Sequence, residues 1–131
     1  MTASTTERPR VLYVEDDKHL RYPISEIVKI MGYDVDTAEN GRLGVEKAEG
    51  WQPHFILMDL RMPVMDGQEA IRILRSKPHT KDIPIYVLSA YTDTKTRASC
   101  AEAGANGFFT KPPDIDKINT IIKQTLGLKP G

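Results

Sequence analysis

Short runs of large apolar residues alternate along this chain with longer stretches in which apolar side chains recur every three or four positions. The first pattern is that of strands covered on both faces and the second that of amphipathic helices, so the chain reads as repeated strand–helix units around a parallel sheet. Five units are predicted, with strands at Val11 to Glu15, Asp34 to Ala38, Phe55 to Asp59, Ile85 to Ser89 and Gly107 to Thr110. Leu20, Ile24, Ile27, Val28 and Met31 form the stripe of the first helix, and Ile115, Ile118, Ile121, Ile122 and Leu126 that of the last. Ala70, Ile71 and Leu74 predict a third helix after Asp66-Gly67, while Leu43, Val45 and Ala48 predict a weaker second one after Asn40-Gly41. The fourth, about Thr92 to Ala103, has almost no large apolar residue, only alanines and Cys100, and little burial implies low local stability.

Glycine and proline punctuate this pattern. Gly32, Gly41, Gly50, Gly104 and Gly127 fall near the proposed element ends, where glycine tolerates the left-handed cap conformation. Gly44, inside the second helix, should cost about 1 kcal/mol relative to alanine. Pro23 lies well inside the first helix and should bend it, because a hydrogen bond is lost and the ring clashes with the preceding turn. Trp51 reads as a loop anchor.

Composition narrows the function classes. A chain of 131 residues, 40% of them hydrophobic, suits one domain with a single core. Lys plus Arg equals Asp plus Glu at 18 each, so no basic field favours nucleic acid or anionic lipid. Cys100 is the single cysteine, which rules out an internal disulfide, and zinc-ligand spacing is absent. Met1 to Pro9 is polar and lacks the apolar core of a signal peptide, and no apolar run is long enough to span a bilayer. The expectation is a soluble, cytoplasmic protein without direct contact to nucleic acid or membrane.

Candidate chemistry collects at the strand ends. Glu15 and Asp16 follow the first strand, Asp59 ends the third, Ser89 the fourth, and Lys111 follows the fifth. Open α/β sheets bind ligands outside the carboxyl ends of their strands, so these residues are expected to share one crevice. Clustered carboxylates repel one another unless protons or a cation occupy the site. Mg²⁺ prefers one or two carboxylates together with water and phosphate oxygens, which suits Asp16 and Asp59 directly and Glu15 through water. The remaining ligand would be a phosphoryl group. Asp59 would be its nucleophile, Lys111 a counter-charge and Ser89 a hydrogen-bond donor.

Four runs of residues carry a resemblance. Leu12-Tyr13-Val14-Glu15-Asp16-Asp17, Met58-Asp59-Leu60-Arg61-Met62-Pro63-Val64-Met65-Asp66-Gly67, Ser89-Ala90 and Lys111-Pro112 resemble the receiver (response-regulator, CheY-like) domain of two-component signal transduction. The resemblance covers about Arg10 to Leu126, and it implies a three-layer, doubly wound, flavodoxin-like α/β fold with a five-stranded parallel sheet in the order 2-1-3-4-5. The receiver domain is placed at 10–127, with tails at 1–9 and 128–131. The family implies Mg²⁺-dependent phosphorylation of Asp59 by a histidine kinase or phosphotransfer protein. It adds the backbone carbonyl of Arg61 as a metal ligand, a cis Lys111–Pro112 bond, and a switch in which Ser89 turns toward the phosphoryl group while Phe108 moves from exposed to buried.

The output face would combine the fourth helix, fifth strand and fifth helix and engage an unknown downstream protein, as a monomer or a phosphorylation-dependent dimer. Such a chain is a signalling switch that assists its own phosphorylation and dephosphorylation, not an enzyme acting on others. Arg61 and Tyr91 are large residues at positions that in this family screen the acyl phosphate from water. Pro113 stands where an aromatic residue usually follows Lys-Pro.

Plainer readings exist for each residue. Glu15, Asp16 and Asp17 suit a helix N-terminus, Ser89 and Thr92 or Asp93 suit caps, Phe108 suits a core, and Lys111 suits a surface. Cys100 reads as a small helix-face hydrophobe, and His19, His54 and His79 as structural or solvated. Competing functions are a receiver fragment of a larger regulator or hybrid kinase, and a Mg²⁺-dependent aspartyl phosphatase of haloacid-dehalogenase type. The latter expects a second aspartate where Arg61 stands. A flavodoxin-like flavin binder is disfavoured by the acidic lining.

Overall fold

The computed structural model describes residues 8–90 and 93–129. Tyr91 and Thr92, and the outer parts of both expected tails, lie outside the described residues. Five strands and five helices alternate: β1 (Arg10–Val14), α1 (Lys18–Ile30), β2 (Asp34–Ala38), α2 (Gly41–Trp51), β3 (Phe55–Asp59), α3 (Gly67–Arg75), β4 (Ile85–Ser89), α4 (Thr94–Ala103), β5 (Gly107–Thr110) and α5 (Ile115–Leu126). The strands pair in parallel in the order β2-β1-β3-β4-β5. This is the flavodoxin-like receiver fold expected from the sequence.

The sheet separates two layers of core. Leu12, Val14, Ile56, Met58, Ile85 and Val87 face α2, α3 and α4, where Val45, Ala48, Ile71, Leu74 and Cys100 join them. Val11, Tyr13, Phe55, Leu57, Leu88 and Phe109 share the other cluster with Ile24 and Val28 of α1 and Ile118 and Ile122 of α5. Successive strand residues alternate between these clusters because a pleated strand has a side-chain period of two. All five residues of the central strand β3 are buried, whereas β2 at the edge is mostly half-exposed.

Each helix starts on an Asp or Asn whose side chain accepts a backbone N–H of the first turn: Asp17, Asn40, Asp66, Asp93 and Asp114. Such caps satisfy donors that the helix itself leaves unpaired. Arg75, at the end of α3, fastens the opposite edge of the sheet. Its guanidinium donates to the carbonyls of Gly104 at 2.9 Å, Lys81 at 2.9 Å and Ile83 at 2.7 Å, and to Asn106 Oδ1 at 2.8 Å.

Several local expectations need correction. The first strand runs from Arg10 to Val14, one residue earlier than predicted, although the Glu15 N–H still donates to Ala38 O at 2.9 Å. Left-handed backbone occurs at Gly32, Gly104 and Gly127 but not at Gly41 or Gly50, which lie inside α2; the cap of α2 is Gln52, at φ 52°. Trp51 closes α2 and packs on the core beneath it, so it is a helix residue and not a loop anchor. Helix α1 continues through Pro23. Gly44 sits against Val14, where an added Cβ would lie 2.9 Å from Cγ2, so its helix-propensity cost is exchanged for close helix–strand approach. The Lys111–Pro112 bond is cis. Among the described residues no helix is long and apolar enough to cross a membrane.

Candidate functional site

Sheet register brings the acids together. Val14 pairs with Met58 and Asp59 with Leu88, so Glu15, one step past β1, comes level with Asp59. Leu88 in turn pairs with Phe109, and Lys111 is the next residue of the same parity. Glu15, Asp59 and Lys111 therefore leave the sheet on the face that carries Tyr13, Leu57, Leu88 and Phe109. Residues far apart in sequence reach one another because parallel strands all end at the same edge.

The ammonium of Lys111 lies 3.1 Å from Glu15 Oε1 and 3.2 Å from Asp59 Oδ1. Glu15 and Asp59 are buried, at 0% and 4% exposure, while Asp16 is exposed. Burial, a hydrogen bond with Glu15 and its negative charge push the Asp59 carboxyl up to about 7, against a smaller opposing effect of Lys111. Burial alone would lower the Lys111 ammonium, but Asp59 and Glu15 outweigh it and the net direction is upward. The backbone N–H of Leu60 also donates to Asp59 Oδ1, at 2.9 Å.

One oxygen from each of Glu15, Asp16 and Asp59 lies within 4.8 Å of the others. These are hard oxygen donors, they carry more negative charge than one ammonium can compensate, and the exposed Asp16 leaves room for water on the solvent side. That set fits a small, hard divalent cation. Arg21 braces the same loop by donating to the Glu15 carbonyl at 2.7 Å and the Asp16 carbonyl at 3.2 Å.

The loop after β3 is shaped by its neighbours. The N–H of Gly67 donates to Leu60 O at 2.8 Å, and that of Gly41 to Met65 O at 3.0 Å. Exposed Val64 has φ 70°, a conformation that β-branched residues rarely adopt. Arg61 lies in this loop, exposed, two residues past Asp59.

The remaining expected residues fall as follows. Ser89 is buried at the end of β4, paired with Thr110, and its carbonyl accepts the Lys111 N–H at 2.9 Å. Phe108 is half-buried against the α2/α3/α4 cluster, with the Arg97 guanidinium of α4 5.1 Å from its ring centroid. Asp17 takes the plain role, capping α1 through His19 N at 2.8 Å. Asp93 likewise caps α4. Cys100 is buried, as expected of a small helix-face hydrophobe. His54 Nδ1 accepts the Arg10 N–H at 2.9 Å, well away from the acids at the opposite end of β1.

Sequence reasoning missed Tyr13, whose hydroxyl donates to Glu15 Oε1 at 3.1 Å, and Arg21. The signal for Tyr13 was available: residues i and i+2 of a strand share a face. Arg21 carried no comparable signal, because its partners are main-chain carbonyls.

Comparisons with known proteins agree with this arrangement. A family model described as the response regulator receiver domain matches residues 11–123. Sporulation initiation phosphotransferase F of Bacillus subtilis (strain 168) is 31% identical over 120 residues, which are 92% of this chain and 95% of that protein. Regulatory protein AtoC of Escherichia coli (strain K12) is 32% identical over 120 residues, 92% of this chain but 26% of that protein. The chain spans half or less of the length of the first several curated relatives that it matches. Among solved structures, the receiver domain of sensor histidine kinase PA1611 from Pseudomonas aeruginosa PAO1, with a magnesium ion coordinated in its active-site cleft, is similar at a TM-score of 0.86 and 30% identity. That likeness covers 92% of this chain and 99% of that one.

Proposed function

The chain belongs to the response regulator receiver family, and on that premise we propose that it takes a phosphoryl group on Asp59, with Mg²⁺, from a histidine kinase or a phosphotransfer protein. Receiver domains are phosphorylation switches and not enzymes in the ordinary sense. The observation that carries the proposal is a buried strand-end carboxylate, Asp59, beside the Lys111 ammonium and two further acids. An oxygen of Asp59 attacks phosphorus, the donor's leaving group departs, and an acyl phosphate remains. Lys111 offsets the charge gathering on the peripheral oxygens, and Ser89 supplies a hydroxyl at the neighbouring strand end. Glu15, Asp16, Asp59 and the carbonyl of Arg61 would hold the cation, which when bound neutralises phosphoryl oxygens.

The output follows from packing. Only Cys100 and Ala103 of α4 are buried, so this helix is held by little apolar area and repositions easily. Phosphorylation reorganises the face formed by α4, β5 and α5, with Phe108 moving inward, and thereby selects a downstream protein. Hydrogen exchange that stays the same at 93–110 after phosphorylation would contradict this.

The direct test is incubation with a small phosphodonor, with and without Mg²⁺, and intact mass measured for the wild type and Asp59→Asn. The wild type gains one phosphoryl group only with metal, and the variant gains none. Continued turnover of a generic phosphate ester would instead revive the aspartyl phosphatase reading. The partial coverage of longer regulators such as AtoC favours a second reading, in which the same switch controls an attached output domain.

A further inference from the structure

Tyr13 has no part in the chemistry above, yet it is 1% exposed and its hydroxyl donates to Glu15 Oε1 at 3.1 Å. Its ring belongs to the cluster covered by α1 and α5, with Phe55, Leu57 and Phe109. A phenylalanine would fill that space as well, whereas a buried hydroxyl is costly unless it is partnered. The partner here is an acid of the proposed cation site.

Glu15 is gripped on both oxygens. Oε1 receives Tyr13 and Lys111, and Oε2 receives the Asp17 N–H at 3.3 Å. Lys111 follows β5 and Asp17 lies in a loop; Tyr13 is the one of these three donors inside a central strand. We infer that Tyr13 is a positioning residue: its hydroxyl fixes the Glu15 carboxylate in the orientation that the cation or its water requires, and so sets the affinity for Mg²⁺. Without it, Oε1 keeps only the Lys111 contact, and the carboxylate is oriented less firmly before the cation binds. The inference rests on the metal-dependent reading of the site.

Titration with MgCl₂, followed by amide chemical shifts at 14–18 and 59–61, reads the affinity directly. Tyr13→Phe should weaken Mg²⁺ about tenfold, the usual effect of losing a partner that orients a ligand. Tyr13→Met, which packs differently but also lacks the hydroxyl, should give the same loss. In a Glu15→Ala background, Tyr13→Phe should cost nothing further, because it acts through Glu15. Unchanged affinity in both Tyr13 variants overturns the inference even if their melting points drop, since that is a packing role. An equal loss with and without Glu15 overturns it too. If the wild type takes up no Mg²⁺, the proposed function itself fails; if it does and only the Tyr13 variants behave as wild type, this inference fails alone.

Discussion

A Cβ placed on Gly67 would lie 2.3 Å from the carbonyl oxygen of Asp59 and 3.0 Å from Leu60 Cα. The start of α3 is therefore pressed against the main chain of the candidate phosphoacceptor, and no flexible side chain stands between them to yield. Gly67→Ala should destabilise the protein by about 1–3 kcal/mol through overpacking, measured by urea denaturation. Because the loop after Asp59 must move to admit a methyl group, phosphodonor labelling should slow as well. Wild-type stability in Gly67→Ala would refute the close approach.

The buried carboxyl of Asp59 makes stability depend on pH. Its folded pKa is raised to about 7, chiefly by burial, so between about pH 4 and 7 the native state holds more protons than the unfolded chain. This contribution lowers stability as pH rises through that window. Asp59→Asn, neutral throughout, should melt above the wild type at pH 8 by roughly 3–5 °C, for a gain on the order of 1 kcal/mol, and converge with it near pH 4. Parallel melting curves across pH would count against the assigned burial.

Arg75 holds three carbonyls and one amide oxygen from two segments of the far sheet edge. Lysine cannot reproduce that fork. Arg75→Lys should cost about 2–3 kcal/mol, as hydrogen bonds from a charged donor are lost. Faster hydrogen exchange should appear at Ile85, Gly104 and Asn106, with β1 unaffected. Uniform acceleration across the sheet would show that Arg75 is no local clamp.

The cap of α4 should be acid-sensitive. The Thr96 hydroxyl and N–H hold the Asp93 carboxyl below its ordinary range. A depressed folded pKa gives stability that is present above the unfolded value and lost as pH falls through the folded one. Exchange at Thr96 to Ser99 should therefore quicken below about pH 4, and Asp93→Ala should quicken it at neutral pH. Cys100 and Ala103, buried at the other end of α4, should respond less. Identical protection along α4 in Asp93→Ala would dismiss the cap.

Much of this was legible in one dimension because it depends on neighbours in sequence. The continuous apolar runs Val11 to Val14 and Phe55 to Met58, the stripes of α1 and α5, and the caps at Asp17 and Asp93 are local patterns set by the needs of strands and helices. Glycine was less legible, since its reasons differ. Gly104 answers a left-handed cap, whereas Gly41 and Gly67 answer an oxygen that approaches from another segment. The one-residue shift of β1 reflects pairing with β2, which hydrophobicity does not encode.

The sequence alone determined the alternating architecture, the strand ends where the acids sit, and the family whose motifs those acids form. Tertiary structure decided which acids meet: Glu15 and Asp59 are buried around Lys111, while Asp17, adjacent in sequence, turns away to cap α1. It also decided that Tyr13 serves Glu15 and that Arg21 and Arg75 serve main-chain carbonyls. Periodicity records which face of an element is apolar, but a polar side chain's partner depends on the register between strands and on the path of loops. Those are fixed only when the whole chain packs.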